Sequence, residues 1–293
     1  MRRIFCLGVV ACLMTGLAWH QSSAAEPMPR PDGGVVANGI YTNNYFHLSY
    51  PLPSGWTQGI AGPGPSLSGY YVLATFMPAG ELSGTILIAA QDVFFAAPML
   101  DDATETTQEV ARSISRVDGM TIDRKPSEVR IGGRSFSRVD FSGVGLFRST
   151  FFTYIRCHLV SFHLTANSPR FLATLVLSLN NLGDARDGAA GSADPMCVRN
   201  RADTENVLTK VDPAAIGPTF TPIPVRLMIG ADGAVKHVHV IRATVEQRDS
   251  IERALGQWRF RPHEMDGRAA GVETGLLIEF TSGGVTYSAG DRR

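Results

Sequence analysis

The stretch "IPVRLMIGADGAVKHVHVIRA", Ile223 to Ala243, decides how the C-terminal part of this chain is read. Two alternating runs flank Asp232-Gly233, a pair that favours a two-residue hairpin loop. With those residues as the loop, Ile229 faces Lys236, Leu227 faces Val238 and Val225 faces Val240. That register gathers Val225, Leu227, Ile229, Val238 and Val240 on one face and leaves Arg226, Met228, His237 and His239 on the other. The first face needs an apolar cover, and the second reads as an open polar surface.

The cover follows in sequence. In "DSIERALGQW", Asp249 reads as a helix cap with Glu252 three residues on, and Ile251, Ala254, Leu255 and Trp258 recur at helical spacing. Trp258 closes that stripe, Phe260 points inward between the outward Arg259 and Arg261, and Pro262 stops the chain from continuing as a helix or central strand. Asp266-Gly267 then turns the chain into "GVETGLLIEF", in which Val272, Thr274, Leu276, Ile278 and Phe280 share a side. The order is β-β-α-β. A three-stranded sheet with one helix leaves two edges, and no charged bulge blunts the last strand.

This series, with the motif positions Asp232, Gly233, Trp258, Phe260, Pro262 and Gly267 and a strand ending at Phe280, resembles the TonB C-terminal domain family over about residues 216–281. The resemblance implies that the Gly, Pro, Trp and Phe positions are structural. It also implies that an edge of the small sheet captures an extended segment by strand addition, backbone groups supplying affinity and alternate side chains choice. The expected contact strand is Glu273, Thr274, Leu276, Leu277, Ile278, Glu279 and Phe280, with Arg226, Met228, His237, His239, Arg259 and Arg261 as open-face contacts. The chain departs from an energy-transducing TonB, which would carry an uncleaved anchor and a long Pro-rich spacer.

Upstream, the pattern is a second α+β unit. "YFHLSYPLPSGW" is a strand running into a sharp turn, "YYVLATF" and "TILIAAQDVFF" are further strands, and Gly132-Gly133 is a tight hairpin turn. Asp102 with Glu105 caps a helix whose face is Ala103, Thr107, Val110 and Ile114; Asp101 beside them is accounted for by the same helix start. Ser168 caps a second helix with Pro169 at its first position and Phe171, Leu172, Leu175 and Leu179 on one side. The order resembles the Mog1/PsbP-like α+β sandwich domains over about residues 40–182, scaffolds with no shared catalytic residues to carry over. The expected fold class is α+β: an antiparallel-sheet sandwich, a linker at 183–205, and a small ββαβ domain at 206–290, behind a flexible lead-in at 26–39.

Residues 1–25, "MRR", an apolar run Ile4 to Trp19 and small residues at Ser23 and Ala25, form a secretory signal. The run is shorter than the ~20 residues that span a bilayer, which favours cleavage after Ala25 over retention as an anchor. Cys157 and Cys197 then remain for an oxidising compartment, either as separately buried thiols or as a bridge worth about 4 kcal/mol for a loop of about 40 residues. The 27 basic and 27 acidic side chains are spread without blocks, which excludes a phosphate-neutralising surface and so nucleic acid as a partner.

Chemistry-bearing motifs are scarce. No GxSxG elbow, HExxH or P-loop occurs, and "GIAGPGPSLSG" at Gly59 to Gly69 reads as a surface loop. His237 and His239 share a face as half a metal site without a third ligand, and His158 and His163 have opposite parity on one strand. The expectation is therefore a periplasmic non-enzyme with neither metal nor cofactor, binding an envelope protein, an outer-membrane transporter or a second copy of itself. Two alternatives stand beside it. One is an energy transducer that keeps Ile4 to Trp19 in the membrane. The other is a small-molecule or lipid carrier with a cavity lined by Phe46, Phe76, Phe94, Phe141 and Phe162.

Overall fold

A computed structural model describes residues 29–80, 83–97, 102–185, 195–214 and 221–290. The signal segment 1–25, Asp101 and the middle of the expected linker, 186–194, lie outside the described residues. Two lobes are present, both α+β and built mostly of antiparallel sheet.

In the first lobe, β1 (Val35–Ala37), β2 (Ile40–Asn43), β3 (Leu48–Pro51) and β4 (Trp56–Gln58) lead into β5 (Tyr70–Pro78) and β6 (Gly84–Asp92). Helix α1 (Ala103–Ile114) follows, then the meander β7 (Met120–Ile131), β8 (Arg134–Gly143), β9 (Leu146–Ile155) and β10 (His158–Ala166). Helix α2 (Pro169–Ser178) and β11 (Gly183–Asp184) close the lobe. The large sheet runs β4-β5-β6-β10-β9-β8-β7, and a small one runs β1-β2-β3-β11. Alternation along the strands gives each sheet one apolar face. Tyr41, Phe46, Tyr50, Phe76, Ile88 and Phe162 are fully buried in the resulting core, and Leu172 and Leu175 of α2 join it. Helix α1 covers the opposite face through Ala111, Val139 and Phe141. Asp102 caps α1 by accepting from the Thr104 and Glu105 amides, and the Ser168 hydroxyl accepts from the Phe171 amide to start α2. Gly132 and Gly133 both take positive φ, so Ile131 and Arg134 pair directly across a two-residue turn.

The second lobe contains β12 (Met196–Cys197), β13 (Val207–Thr209), β14 (Ile223–Ile229), β15 (Val235–Val240), α3 (Val245–Leu255), β16 (Arg259–Phe260), β17 (His263–Met265), β18 (Arg268–Ala270), β19 (Val272–Thr281) and β20 (Gly284–Ala289). Its five-stranded sheet runs β12-β19-β14-β15, with β20 also paired to β19. One face packs under α3: Val225, Leu227, Val240, Ile251, Leu255, Trp258 and Ile278 are buried together. The Trp258 indole donates to the Val211 carbonyl, which ties residues 207–214 around the lobe. Phe260 is buried opposite Val207, and Asp266-Gly267, both at positive φ, turn β17 into β18.

Several expectations require correction. Thr244 caps α3, not Asp249: its hydroxyl accepts from the Gln247 amide and the Gln247 side chain returns to the Thr244 amide, a reciprocal box that satisfies two otherwise orphaned donors. In the β14–β15 hairpin, Leu227–Val238 and Val225–Val240 pair as expected, but a bulge sets Ile229 opposite Val235 rather than Lys236. The loop is longer because the Gly233 amide turns back to the Gly230 carbonyl and the Phe260 amide docks on the Gly233 carbonyl. Gly233 has φ +75, and a Cβ there would collide with the Phe260 carbonyl oxygen, so only glycine fits. The lead-in is not all flexible, since β1 pairs with β2. Nor is the described part of the linker loose: β11 pairs with β3 and β12 with β19.

Replacing the two rival caps separates the two readings of α3. Thr244→Ala is expected to lose about 1 kcal/mol of urea-unfolding stability and Asp249→Ala only a few tenths; the reverse ranking would restore the later helix start.

Candidate functional site

The face of the second sheet that sequence assigns to solvent is the face on which the two lobes meet. Arg226 and Glu273 project from it, fully desolvated at 3% and 0% exposure. Arg226 Nη1 lies 2.7 Å from Asp92 Oδ2 at the end of β6, and Nη2 is paired with Glu273 Oε2. Arg156 completes the set from the β9–β10 turn, with Nη2 2.8 Å from Glu273 Oε1 and its guanidinium 4.1 Å from the centre of the Tyr45 ring. Two arginines and two carboxylates balance in charge, which is the condition for burying any of them. Gly275, next on β19, abuts Phe94, and a Cβ there would collide with that side chain. Leu277 and Ile241 enter the first lobe's core, making one apolar continuum across the boundary.

Arg156 and Cys157 form the two-residue turn between β9 and β10, both in the left-handed region at φ 46 and 60 without being glycine. Each is held by what it reaches: Arg156 by Glu273, and Cys157 by a disulfide to Cys197, with Cα atoms 5.6 Å apart. The bridge alternative for the cysteines is the one realised.

Burial shapes the protonation of the groups here. It raises the Asp92 carboxyl, while Arg226 works against the rise. The Arg226 guanidinium loses from burial but gains more from Asp92, Tyr45 and Glu273, and stays charged. His158 is held well below its usual range by burial, then by Arg226. Its Nδ1 is 2.8 Å from the Arg156 carbonyl, so that nitrogen carries the proton and Nε2 faces Asp92 Oδ2 at 3.8 Å as a lone pair without a partner. His239 is pushed down to about 3 by burial and by Arg226, beside the Tyr71 hydroxyl.

Arg226 is therefore not a solvent-facing contact. Met228 and His237 are half-buried at the same boundary, and the stacked rings of His237 and His239, 6.5 Å apart, sit within it. Arg259 and Arg261 are exposed. The expected contact strand is also placed differently. Residues Glu273 to Phe280 lie in β19, which pairs with β14 on one side and with β12 and β20 on the other. It is largely interior, because β20 pairs with Leu276 to Thr281 and residues 196–197 with Val272 and Glu273. Among the described residues the outer sides of β15, on one edge of the sheet, and of the short β12 and β20, on the other, are unpaired; β15 is the edge that lies beside α3. The Ile241 amide donates to the Pro224 carbonyl, so 226/239 and 228/237 are the hydrogen-bonded pairs, and the backbone groups of Val238 and Val240 point outward. A groove of about 280 Å³ follows this edge, lined by Lys236, His237, Val238, Glu252 and Gly256.

The five phenylalanines do not share one cluster. Phe46, Phe76, Phe94 and Phe162 fill the first lobe's core, and Phe141 sits across the sheet beneath α1. His163 faces away from His158, between Thr150 and Ser161. No group of three metal-ligating side chains occurs among the described residues. Sequence reading missed Asp92, Tyr45, Tyr71 and Arg156. The available signals were a carboxylate ending the apolar run of β6 and an Arg-Cys pair without Gly, Asn or Asp at a hairpin turn.

The sequence matches no protein-family model and no curated protein. A solved structure with some likeness is the solution structure of cyanobacterial PsbP (CyanoP) from Synechocystis sp. PCC 6803. It is 15% identical with a TM-score of 0.38, covering 52% of this chain and 96% of that chain. A likeness of this size carries no argument about function. No helix among the described residues is long and apolar enough to cross a membrane.

Arg226→Met is expected to cost about 3–5 kcal/mol in urea unfolding, because it leaves Asp92 and Glu273 buried without a cation; a loss below 1 kcal/mol would mean the pair is dispensable. Acidification should also unlock the boundary. A histidine lowered on folding gives stability that is complete above its unfolded value of 6.5 and is lost as pH falls toward the folded value. For His239, folded near 3, the loss between pH 7 and pH 5 is about 2 kcal/mol. His239→Leu should lessen the loss over that range by about 2 kcal/mol, leaving the part that His158 contributes, and an unchanged curve would contradict the assignment.

Proposed function

We propose that this chain is a secreted, non-enzymatic interaction protein of the cell envelope, which captures an extended segment of another envelope protein by strand addition. The signal-like residues 1–25 and the resemblance of residues 216–281 to the TonB C-terminal domain family support the compartment and the binding mode. The observation that carries the reading is the outer edge of β15, where Val238 and Val240 offer backbone groups to a neighbour beside the groove against α3.

The chemistry of that edge describes the ligand. An added strand would place alternate side chains toward α3, over Glu252 and Gly256, and toward His237 on the other side. A segment alternating apolar and polar residues meets both requirements. Lys236, paired with Asp232 at 2.6 Å, and the bulge at Ile229 limit the usable edge to its C-terminal half, as expected of a sheet that binds short segments without self-aggregating.

Displayed random decapeptides selected on the protein, and their affinities for wild type and for Val238→Pro, test the reading. Proline removes an outward N–H at an edge position where sheets tolerate it. The expected result is at least a ~10-fold loss of affinity in a variant that keeps its fold but melts somewhat lower, because Val238 also packs in the core, and amide shifts confined to 236–240 in the wild type. Selected peptides that bind the variant with equal affinity, or a selection that yields none, would overturn it.

A further inference from the structure

On the opposite side of the same sheet lies a second strand-acceptor site, and it is occupied. Residues Met196–Val198 lie along β19 in parallel, whereas the pairings β14–β15, β14–β19 and β19–β20 are antiparallel. The Met196 amide donates to the Gly271 carbonyl at 3.1 Å and the Val198 amide to the Glu273 carbonyl at 2.9 Å. Met196 and Val198 pack against the second lobe's core, while Cys197 between them turns the other way, to Cys157 and the first lobe's core. This is the pattern of a bound extended peptide: backbone groups on the edge, alternate side chains at i and i+2 in apolar contact.

We propose that Met196–Val198 is an exchangeable intramolecular ligand of the β19 edge at Val272–Thr274, latched by the Cys157–Cys197 bridge. A second extended segment with apolar residues at i and i+2 takes its place when a dithiol opens the bridge. This goes beyond the reading of β15 and does not require β15 to bind anything. So short a parallel pairing is weak by itself, and the bridge makes it persist by holding the segment at a high effective concentration beside the edge. Beyond the paired residues, the fastenings include the Thr274 hydroxyl donating to the Arg199 carbonyl at 2.9 Å and Arg199 Nη1 donating to the Val93 carbonyl at 2.6 Å.

The opening step is thiol–disulfide exchange. A thiolate of the dithiol attacks the half-buried Cys197 sulfur, since Cys157 has no exposure, and Cys157 leaves as the thiolate. The dithiol's second sulfur then attacks the mixed disulfide and expels Cys197. Two electrons pass from the dithiol, which ends as a disulfide, to the two protein cysteines, which end as thiols.

The test is amide exchange on the protein from residue 26 onward, oxidised, reduced with dithiothreitol, and as Cys197→Ser. In the reduced protein and the variant, exchange at Met196 and Val198 should rise by about 100-fold while amides of the β14–β19 ladder change little. A synthetic peptide of residues 195–200 with serine at 197 should then shift Val272–Thr274 in the reduced protein and the variant, and not in the oxidised one. Retained protection at Met196 and Val198, or a peptide that shifts nothing at 272–274, would overturn the proposal. Loss of protection throughout the chain would also overturn it, because the bridge would then hold the whole fold. Repeating the series in Val238→Pro separates this result from failure of the β15 reading.

Discussion

The burial of Arg226 is the constraint around which the two lobes are arranged. A guanidinium cannot be left dry without anionic partners, and neither lobe holds both of them: Glu273 comes from the adjacent strand of its own sheet, and Asp92 from the end of a strand in the other lobe. Satisfying it therefore fixes how β6 meets β14. The same meeting brings Arg156 to Glu273, excludes a side chain at Gly275 so that Phe94 can approach, and keeps His158 and His239 neutral. The lobes are better described as two halves of one electrostatic unit than as modules on a tether.

Much of each lobe is legible in sequence because local periodicity is a local property. The alternation in β14 and β15, the apolar stripe of α3, the caps Asp102 and Ser168 and the Gly132-Gly133 turn all follow from residues within a few positions of one another. The start of α3 went to the wrong cap because Thr244 with Gln247 and Asp249 with Glu252 both satisfy the same spacing, and only the packing of Ile251 and Leu255 beneath the sheet chooses between them.

The candidate site was less legible, for a physical reason. Polarity at Arg226, Met228, His237 and His239 looks the same whether the opposite partner is water or a matching set of buried charges. The partners Asp92, Tyr45, Tyr71 and Arg156 lie at least 70 positions away from Arg226, beyond the reach of any pattern. Sequence presents β19 as an edge because the stretch that forms β20 carries little strand signal. Its alternation in "GVTYSA" is shallow, since it is paired on one side and solvated on much of its surface.

The arrangement of the cysteines has a consequence for how the protein comes into being as it emerges from N- to C-terminus. Cys157 and Cys197 are separated by 40 positions, and both precede β14, β15, α3 and β19. The covalent tie can thus be made on a chain that has only its first lobe, before the strand that Met196–Val198 will lie against exists. The second sheet then assembles onto a template already fixed to its neighbour. A chain delivered in that order has the relative placement of its halves decided by chemistry before the charges that will be sealed between them have all been synthesised.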